Sequence, residues 1–241
     1  MDKQSFNDFN DFIKGQILLM DKPLFWTSFD VVKKVKRVLE RKLKEKSTEQ
    51  KRIKVGHAGT LDPLADGLVV LATGKKTKEL HHLQTHDKKY RAVIELGKTT
   101  PSYDLETQYD EIRPYEFITR DKVETVISEF IGETKQYPPV YSAKRVNGKR
   151  AYHSARAGEK IEMKPNLVRI DSIEIEDFDL PLITLYISCG KGTYVRSLVN
   201  DIGNKLNTGA HLVGLTRTQI GLYDINNAES VKKFEEKIRY L

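Results

Sequence analysis

The first seventy residues show two kinds of hydrophobic spacing. Residues 16–20 form a short apolar run that is followed by Asp-Lys-Pro, which predicts a buried strand ending in a loop. Thr27 or Ser28 can cap the helix that comes next. The segment 40–54 is almost wholly polar and charged, so we expect it to contain the helix end and a solvated loop. The apolar positions of the predicted helix fall on one face: Val31, Val35, Val38 and Leu39.

Strand and helix patterns continue to mix along the rest of the chain. The segment 132–148 contains two adjacent prolines and predicts a long loop. Because no regular strand–helix–strand repeat is present, the pattern favours an α+β fold with a mixed, mostly antiparallel sheet flanked by helices. Further strands are predicted at 68–72, 90–96, 167–175 and 182–188, and further helices at 123–130 and 194–206.

Composition and charge narrow the classes of function. The 241 residues are enough for one large domain or two small ones with a substantial core. Lysine and arginine number 41 against 34 acidic residues, which gives a net charge of 41 − 34 = +7. A basic balance is the one expected for a nucleic-acid partner, although many proteins without such a partner share it.

Cysteine usage and hydropathy indicate the compartment. Cys189 is the only cysteine, so an intramolecular disulfide and a cysteine-rich zinc site are excluded. The first fourteen residues are polar and acidic, unlike a secretory signal, and no apolar run approaches the ~20 residues needed to cross a bilayer. We therefore expect a cytoplasmic protein with no membrane contact.

The most informative segment is 56–67, which reads G-H-A-G-T-L-D-P-L-A-D-G. Its glycines permit a tight backbone path, and Pro63 stiffens the exit and restrains the residue before it. Asp62 is thus expected on a rigid turn rather than on a mobile surface. A carboxylate in that position can serve catalysis, or it can simply close the turn, as Asp before Pro often does. The local pattern leaves both interpretations open.

The sequence does not support a phosphate-binding P-loop or a histidine metal site. Six residues separate Gly67 from Gly74, where a P-loop has four, and Lys76 stands where that loop requires Ser or Thr. His81, His82 and His86 lack the pattern of acidic or supporting residues that a metal site needs, so solvated or capping roles are expected for them. We predict neither a metal nor a cofactor.

The segment 56–67 resembles the G-H-x-G-x-L-D-P-x-A-x-G motif of the bacterial TruB family, the tRNA pseudouridine-55 synthases. The resemblance extends over roughly 15–220 and implies the pseudouridine synthase fold. Other blocks similar to the family occur in the same order: 19–23 (L-M-D-K-P), 88–91 (K-K-Y-R), 139–144 (P-V-Y-S-A-K), 189–196 (C-G-K-G-T-Y-V-R), 209–211 (G-A-H) and 215–217 (L-T-R).

The chain also departs from the family pattern. The usual G-x-x-T-D-T-x-D run keeps Thr100 and Asp104, but Pro101 replaces its inner aspartate, which puts loop contacts in doubt. Residues 41–52 resemble an insertion. We expect an N-terminal tail at 1–14, a catalytic domain at 15–225 and a short C-terminal stub at 226–241, in place of the small RNA-binding domain of many relatives.

The resemblance implies an isomerase that moves the uracil of uridine 55, in the T-loop of tRNA, from an N1–C1′ to a C5–C1′ bond. A carboxylate suits this chemistry as a nucleophile or as a base, and Asp62 matches the family's catalytic position. Burial would raise the pKa of such a carboxyl, so a fixed cation is needed, and the resemblance assigns that role to Arg196. Tyr90 is implied as the ring that stacks on the flipped uracil and assists proton removal.

Four further residues are implied in substrate binding. Tyr194 and Leu215 would line the uracil pocket, His57 would enter the RNA loop, and Lys22 would support the active-site loop or contact phosphate. Without the resemblance, Tyr90 and Leu215 are ordinary core residues, His57 is a turn residue and Arg196 is a surface arginine of a helix. The expected partner is the T-arm of tRNA, bound by a monomer. Two alternatives stay open: a pseudouridine synthase for another RNA, and a tRNA-binding or remodelling protein without catalysis.

Overall fold

A computed structural model describes residues 8–46, 52–142, 144–146, 148–159 and 161–241. Helices in this part of the chain are α1 (Asn10–Lys14), α2 (Ser28–Glu45), α3 (Leu80–Leu83), α4 (Arg120–Ser128), α5 (Ala151–Arg156), α6 (Val195–Lys205) and α7 (Val231–Tyr240). The strands are β1 (Ile17–Lys22), β2 (Val55–His57), β3 (Asp66–Thr73), β4 (Lys88–Leu96), β5 (Lys98–Thr99), β6 (Glu111–Ile112), β7 (Gly132–Gln136), β8 (Arg145–Val146), β9 (Lys149–Arg150), β10 (Asn166–Asp179), β11 (Leu182–Cys189), β12 (Ala210–Ile220), β13 (Tyr223–Asp224) and β14 (Glu229–Ser230).

The chain divides into two compact units, which we call unit 1 (Met1–Lys89 and Thr216–Leu241) and unit 2 (Tyr90–Leu215). In unit 1, β3 is central. It pairs antiparallel with β1 on one edge, and on the other edge it pairs antiparallel with β2 and parallel with the end of β12. Seven consecutive buried residues of β3 form the middle of this core, as its continuous apolar run predicts.

Helices α2 and α7 cover unit 1. Thr27 caps α2 through a reciprocal capping box with Asp30, which fixes where the helix begins. The face of α2 that carries Val31, Val35 and Leu39 is buried, and α7 packs against this helix. In both helices, apolar residues with helical spacing therefore form the face that packs on unit 1.

In unit 2 the strands follow the order β4–β11–β10–β7. Strands β10 and β11 form a long antiparallel hairpin, and β7 pairs antiparallel with the start of β10. Tyr90, Ala92, Ile94 and Leu96 alternate with more exposed residues along β4. This alternation places Tyr90 on the buried face of its strand.

These elements confirm the predicted fold class of a mixed sheet flanked by helices. The predicted long loop at 132–148 is partly wrong, because Gly132–Gln136 forms β7 and Arg145–Val146 forms β8. Strand β7 has a polar sequence without the apolar alternation that predicts a strand. It forms because its backbone pairs with β10, and this pairing requires no apolar side chains. The proposed insertion at 41–52 lies partly in α2, and its residues 47–51 lie outside the described residues.

The two ends of the chain contain ordered helices where they are described. Within 1–14, predicted as a tail, α1 buries Phe12 against Phe234 of α7, with the two ring centroids 6.1 Å apart. Residues 226–241, predicted as a stub, contain β14 and α7. The predicted domain boundaries themselves stay a prediction. None of the helices in the described ranges has both the length and the apolar character needed to cross a membrane.

Candidate active site

Asp62 lies in the connection between β2 and β3, residues 58–65, which we call the Asp62 loop. Its first residue, Ala58, donates its backbone N–H to Val70 at 2.8 Å, and Ala65 donates to the carbonyl of Asp62 at 3.1 Å. The second bond closes a four-residue turn in which Pro63 occupies the second position, the one that proline favours. Asp62 is therefore half-buried at the first position of a rigid turn, as the sequence predicted.

Ser28, the first residue of α2, holds the residue before Asp62. Its buried hydroxyl accepts the N–H of Leu61 at 2.8 Å and donates to the Leu61 carbonyl at 3.2 Å. Leu61 itself is buried. Both backbone groups of this residue are thus satisfied by one side chain, which restricts the main chain immediately before the carboxylate.

Arg217, near the end of β12, holds the loop from another direction. Its fully buried guanidinium donates to three carbonyls, those of Leu68 at 2.8 Å, Thr60 at 3.2 Å and Gly59 at 3.3 Å. Gly67 permits the close approach of β3 to Arg217, because a Cβ at that position would lie 2.5 Å from the Arg217 carbonyl oxygen. A single planar cation therefore joins the start of the Asp62 loop to β3.

Lys22, at the end of β1, is a buried lysine close to this loop. Its ammonium donates to the carbonyl of Trp26 at 2.6 Å and to that of Pro23 at 3.0 Å. Burial lowers the pKa of Lys22 from 10.5 to about 8, while the negative charges of Asp66 and Asp62 oppose that shift. Lys22 thus supports the loop between β1 and α2 and adds positive charge near Asp62.

This pKa shift predicts a pH dependence of stability. Between about pH 8 and 10.5 the unfolded chain keeps the Lys22 proton while the folded protein loses it, so stability rises with pH in this window. From pH 7 to 10, wild type should gain about 2 kcal/mol in its free energy of unfolding relative to Lys22→Met. Urea unfolding at both pH values measures the gain. The exposed Lys33→Met is the control, and parallel curves for wild type and Lys22→Met would contradict the prediction.

In unit 2, Arg196 occupies the first turn of α6. Its guanidinium donates to the carbonyl of Ser102 at 3.1 Å and lies 3.5 Å from the carboxylate of Asp104. Both charged side chains are almost fully buried. Asp104 also accepts the N–H of Glu106 at 2.9 Å. Pro101, the departure from the family pattern, is exposed and leaves the Arg196–Asp104 pair in place.

The other predicted residues of unit 2 lie on the same helix start or on strands. Tyr194 caps α6, and Gln136 fixes it by accepting its N–H at 2.8 Å and donating to its carbonyl at 3.1 Å. Tyr90 and Leu215 are buried residues of β4 and β12. Each of the three is therefore held by regular secondary structure or its cap rather than by a mobile loop.

Comparison with known proteins identifies the family. A model described as "TruB family pseudouridylate synthase (N terminal domain)" matches residues 41–195. A protein of Parabacteroides distasonis named tRNA pseudouridine synthase B is 49% identical, over 94% of each chain. A protein of the same name from Phocaeicola vulgatus is 50% identical, again over 94% of each. The chain belongs to the TruB family of pseudouridylate synthases. It is therefore an enzyme, an isomerase, as the resemblance implied.

A solved structure shows a similar fold. A chain of a Cbf5-Nop10-Gar1 complex matches with a TM-score of 0.69 and 26% identity, and the match covers 93% of the present chain and 54% of that one. The present chain thus spans about half the length of its structural neighbour. This likeness supports the pseudouridine synthase fold.

The predicted site residues divide between the two units. Lys22, His57 and Asp62 lie in unit 1, whereas Tyr90, Tyr194, Arg196 and Leu215 lie in unit 2. Burial lowers the pKa of His57 below its ordinary 6.5 and so favours the neutral ring. The catalytic and binding roles of all seven residues stay predictions.

Sequence reasoning missed three residues that shape the site: Ser28, Asp104 and Arg217. The sequence identifies Asp104 and Arg217 only as members of blocks similar to the family, because the partners of both are distant in sequence. It identifies Ser28 only as a candidate helix cap. Within the described ranges, no group of three or more His, Cys, Asp or Glu side chains is arranged to hold a metal ion.

Proposed function

We propose that this TruB-family enzyme converts uridine 55 in the T-loop of tRNA to pseudouridine, with Asp62 as the catalytic carboxylate. The observation that carries the proposal is the Asp62 loop, in which Ser28, Arg217 and the turn at Pro63 restrain the backbone on both sides of one carboxylate. Pre-organised backbone of this kind is expected where a reacting group must be positioned to within a fraction of an ångström. The relatives' name supplies the substrate class.

The reaction is an isomerisation in which atoms and electrons balance within the substrate. The N1–C1′ bond breaks, the C5–C1′ bond forms, the proton on C5 leaves and N1 gains a proton. Asp62 can attack C1′ or act as the base, and both roles require the ionised carboxylate. No external oxidant or reductant enters the balance.

The other residues implied by the resemblance are proposed to assist Asp62 and to bind the substrate. Arg196 supplies a positive charge for the catalytic carboxylate, and Tyr90 stacks on the flipped uracil and assists removal of the C5 proton. Tyr194 and Leu215 line the uracil, and the neutral His57 enters the RNA loop where the base has left. The basic balance of the chain suits the phosphate backbone. A cytoplasmic monomer is the expected form.

The direct test is pseudouridine mapping in unmodified tRNA transcripts incubated with the purified protein alone. We expect one new pseudouridine, at position 55, and none in a transcript that carries cytidine there. If unit 1 and unit 2 suffice to recognise the T-arm, an isolated T-arm stem-loop should react nearly as fast as full-length tRNA. Pseudouridine at another position, or only in another RNA, would contradict the U55 assignment, and tight tRNA binding without product would indicate a binding protein.

Tyr90→Phe tests the assigned role of the hydroxyl. The phenyl ring keeps the stacking surface, worth roughly 1–3 kcal/mol per base, so RNA affinity should stay within about threefold of wild type. The single-turnover rate should fall by about 10²-fold, the lower range for loss of a proton-transfer group. Quench-flow measurement at saturating RNA separates the two effects. An unchanged rate would remove the hydroxyl from the mechanism.

A further inference from the structure

The loop between β1 and α2 and the first turn of α2 display large apolar side chains to solvent. Phe25 is 77% exposed, Phe29 is 56% exposed and Leu24 is 45% exposed. Three such residues within six positions make an apolar patch, which we call the Phe25 patch. Single exposed apolar residues are ordinary on protein surfaces, whereas three exposed within six positions of the chain are a candidate contact with a ligand or partner.

Phe25 also has an unusual backbone. Its φ of 66° lies in the left-handed region, where a bulky side chain meets the neighbouring carbonyl and glycine is favoured. The ring is exposed, so burial in the core does not compensate for this strain. Strained residues of this kind persist where the side chain serves a function.

The strained turn is held in place from two sides. The buried ammonium of Lys22 donates to the carbonyls of Pro23 and Trp26, which flank the two exposed residues at the tip. The backbone N–H of Phe25 donates to the carbonyl of Pro63 at 2.7 Å. Pro63 directly follows Asp62, so the backbone of Phe25 is bonded to the turn that presents the catalytic carboxylate.

The chemistry of the patch suits nucleic acid. The ammonium of Lys33 lies 4.8 Å from the centre of the Phe29 ring, so a cation borders the exposed aromatic surface. Exposed aromatic rings interleaved with cations are the pattern by which proteins bind unstacked bases and the adjoining phosphates. The net charge of +7 adds to this complementarity.

We propose that Phe25 is an RNA-stacking residue that receives an unpaired base near the target uridine. The inference rests on the proposed function, since it takes RNA as the ligand of the Asp62 loop. The strained turn then has a physical role, because it fixes the ring before RNA arrives and so reduces the entropy lost on binding.

The test compares variants that separate the ring from the backbone strain. Phe25→Gly relieves the strain and removes the ring, and Phe25→Asn also tolerates the left-handed turn without a ring. Phe25→Tyr keeps the ring. We expect Gly and Asn to weaken binding of a T-arm stem-loop about tenfold, and Tyr to bind as wild type does. The Gly variant should meanwhile melt about 1–4 °C higher, because the strain is gone.

The matched control is Tyr240→Ala, which removes a 91% exposed ring at the end of α7 and should leave RNA affinity unchanged. Equal affinity of wild type and Phe25→Gly would overturn the inference. If wild type forms no pseudouridine, the proposed function fails, whereas the binding comparison still decides the role of Phe25.

Discussion

Asp62→Asn is expected to lower the single-turnover rate of pseudouridine formation by about 10⁴-fold or more, the range found when a reacting side chain is removed. The amide keeps the shape of the carboxylate but can neither attack C1′ nor accept a proton. The backbone bonds at Leu61, Thr60 and Ala65 do not involve the altered side chain, so the Asp62 loop should keep its conformation. RNA affinity should therefore change by less than about tenfold.

Asp66→Asn is the matched control for this prediction. Asp66 lies four residues further along the chain, and its charge, like that of Asp62, acts on Lys22. If Asp62 mattered only as a negative charge beside Lys22, the two substitutions would have similar effects. We expect Asp66→Asn to keep activity within about tenfold of wild type. Equal losses in both variants, or activity of Asp62→Asn above a few per cent of wild type, would contradict the catalytic assignment.

Local sequence signals were sufficient to predict the turn that carries Asp62. The rigid turn at Asp62 follows from Pro63 and from the conformational freedom of Gly59, both of which act within a few residues. The core strand β3 and helix α2 follow from hydrophobic periodicity and, for α2, from the Thr27 cap. These predictions succeeded because each depends on interactions between near neighbours in the chain.

Sequence reasoning failed where the physical cause lies far along the chain. Arg217 reaches carbonyls about 150 residues away, and its role depends on the parallel pairing of β12 with β3. Nothing in its immediate sequence distinguishes such an arginine from a surface one. Phe25 illustrates the same difficulty, since its left-handed backbone depends on the bond to Pro63 and on the Lys22 ammonium, neither of which periodicity can predict.

Removal of the Arg196 guanidinium should reduce both stability and activity, and the structure offers a way to separate the two losses. Arg196→Met leaves the carboxylate of Asp104 buried without the cation 3.5 Å away. Breaking a buried ion pair in this way destabilises a protein by about 3–5 kcal/mol. The pseudouridylation rate should fall by on the order of 10³-fold, as for the loss of a fixed electrostatic group in an active site.

The double variant Arg196→Met with Asp104→Asn decides what Arg196 does. Asparagine carries no charge and can still accept the N–H of Glu106, so the double variant should recover most of the stability lost by Arg196→Met. Activity should stay low, because the cation assigned to the catalytic carboxylate is still missing. Urea unfolding and single-turnover kinetics on the same preparations measure both quantities. If activity returned together with stability, Arg196 would serve only to neutralise Asp104 and would have no direct part in the reaction.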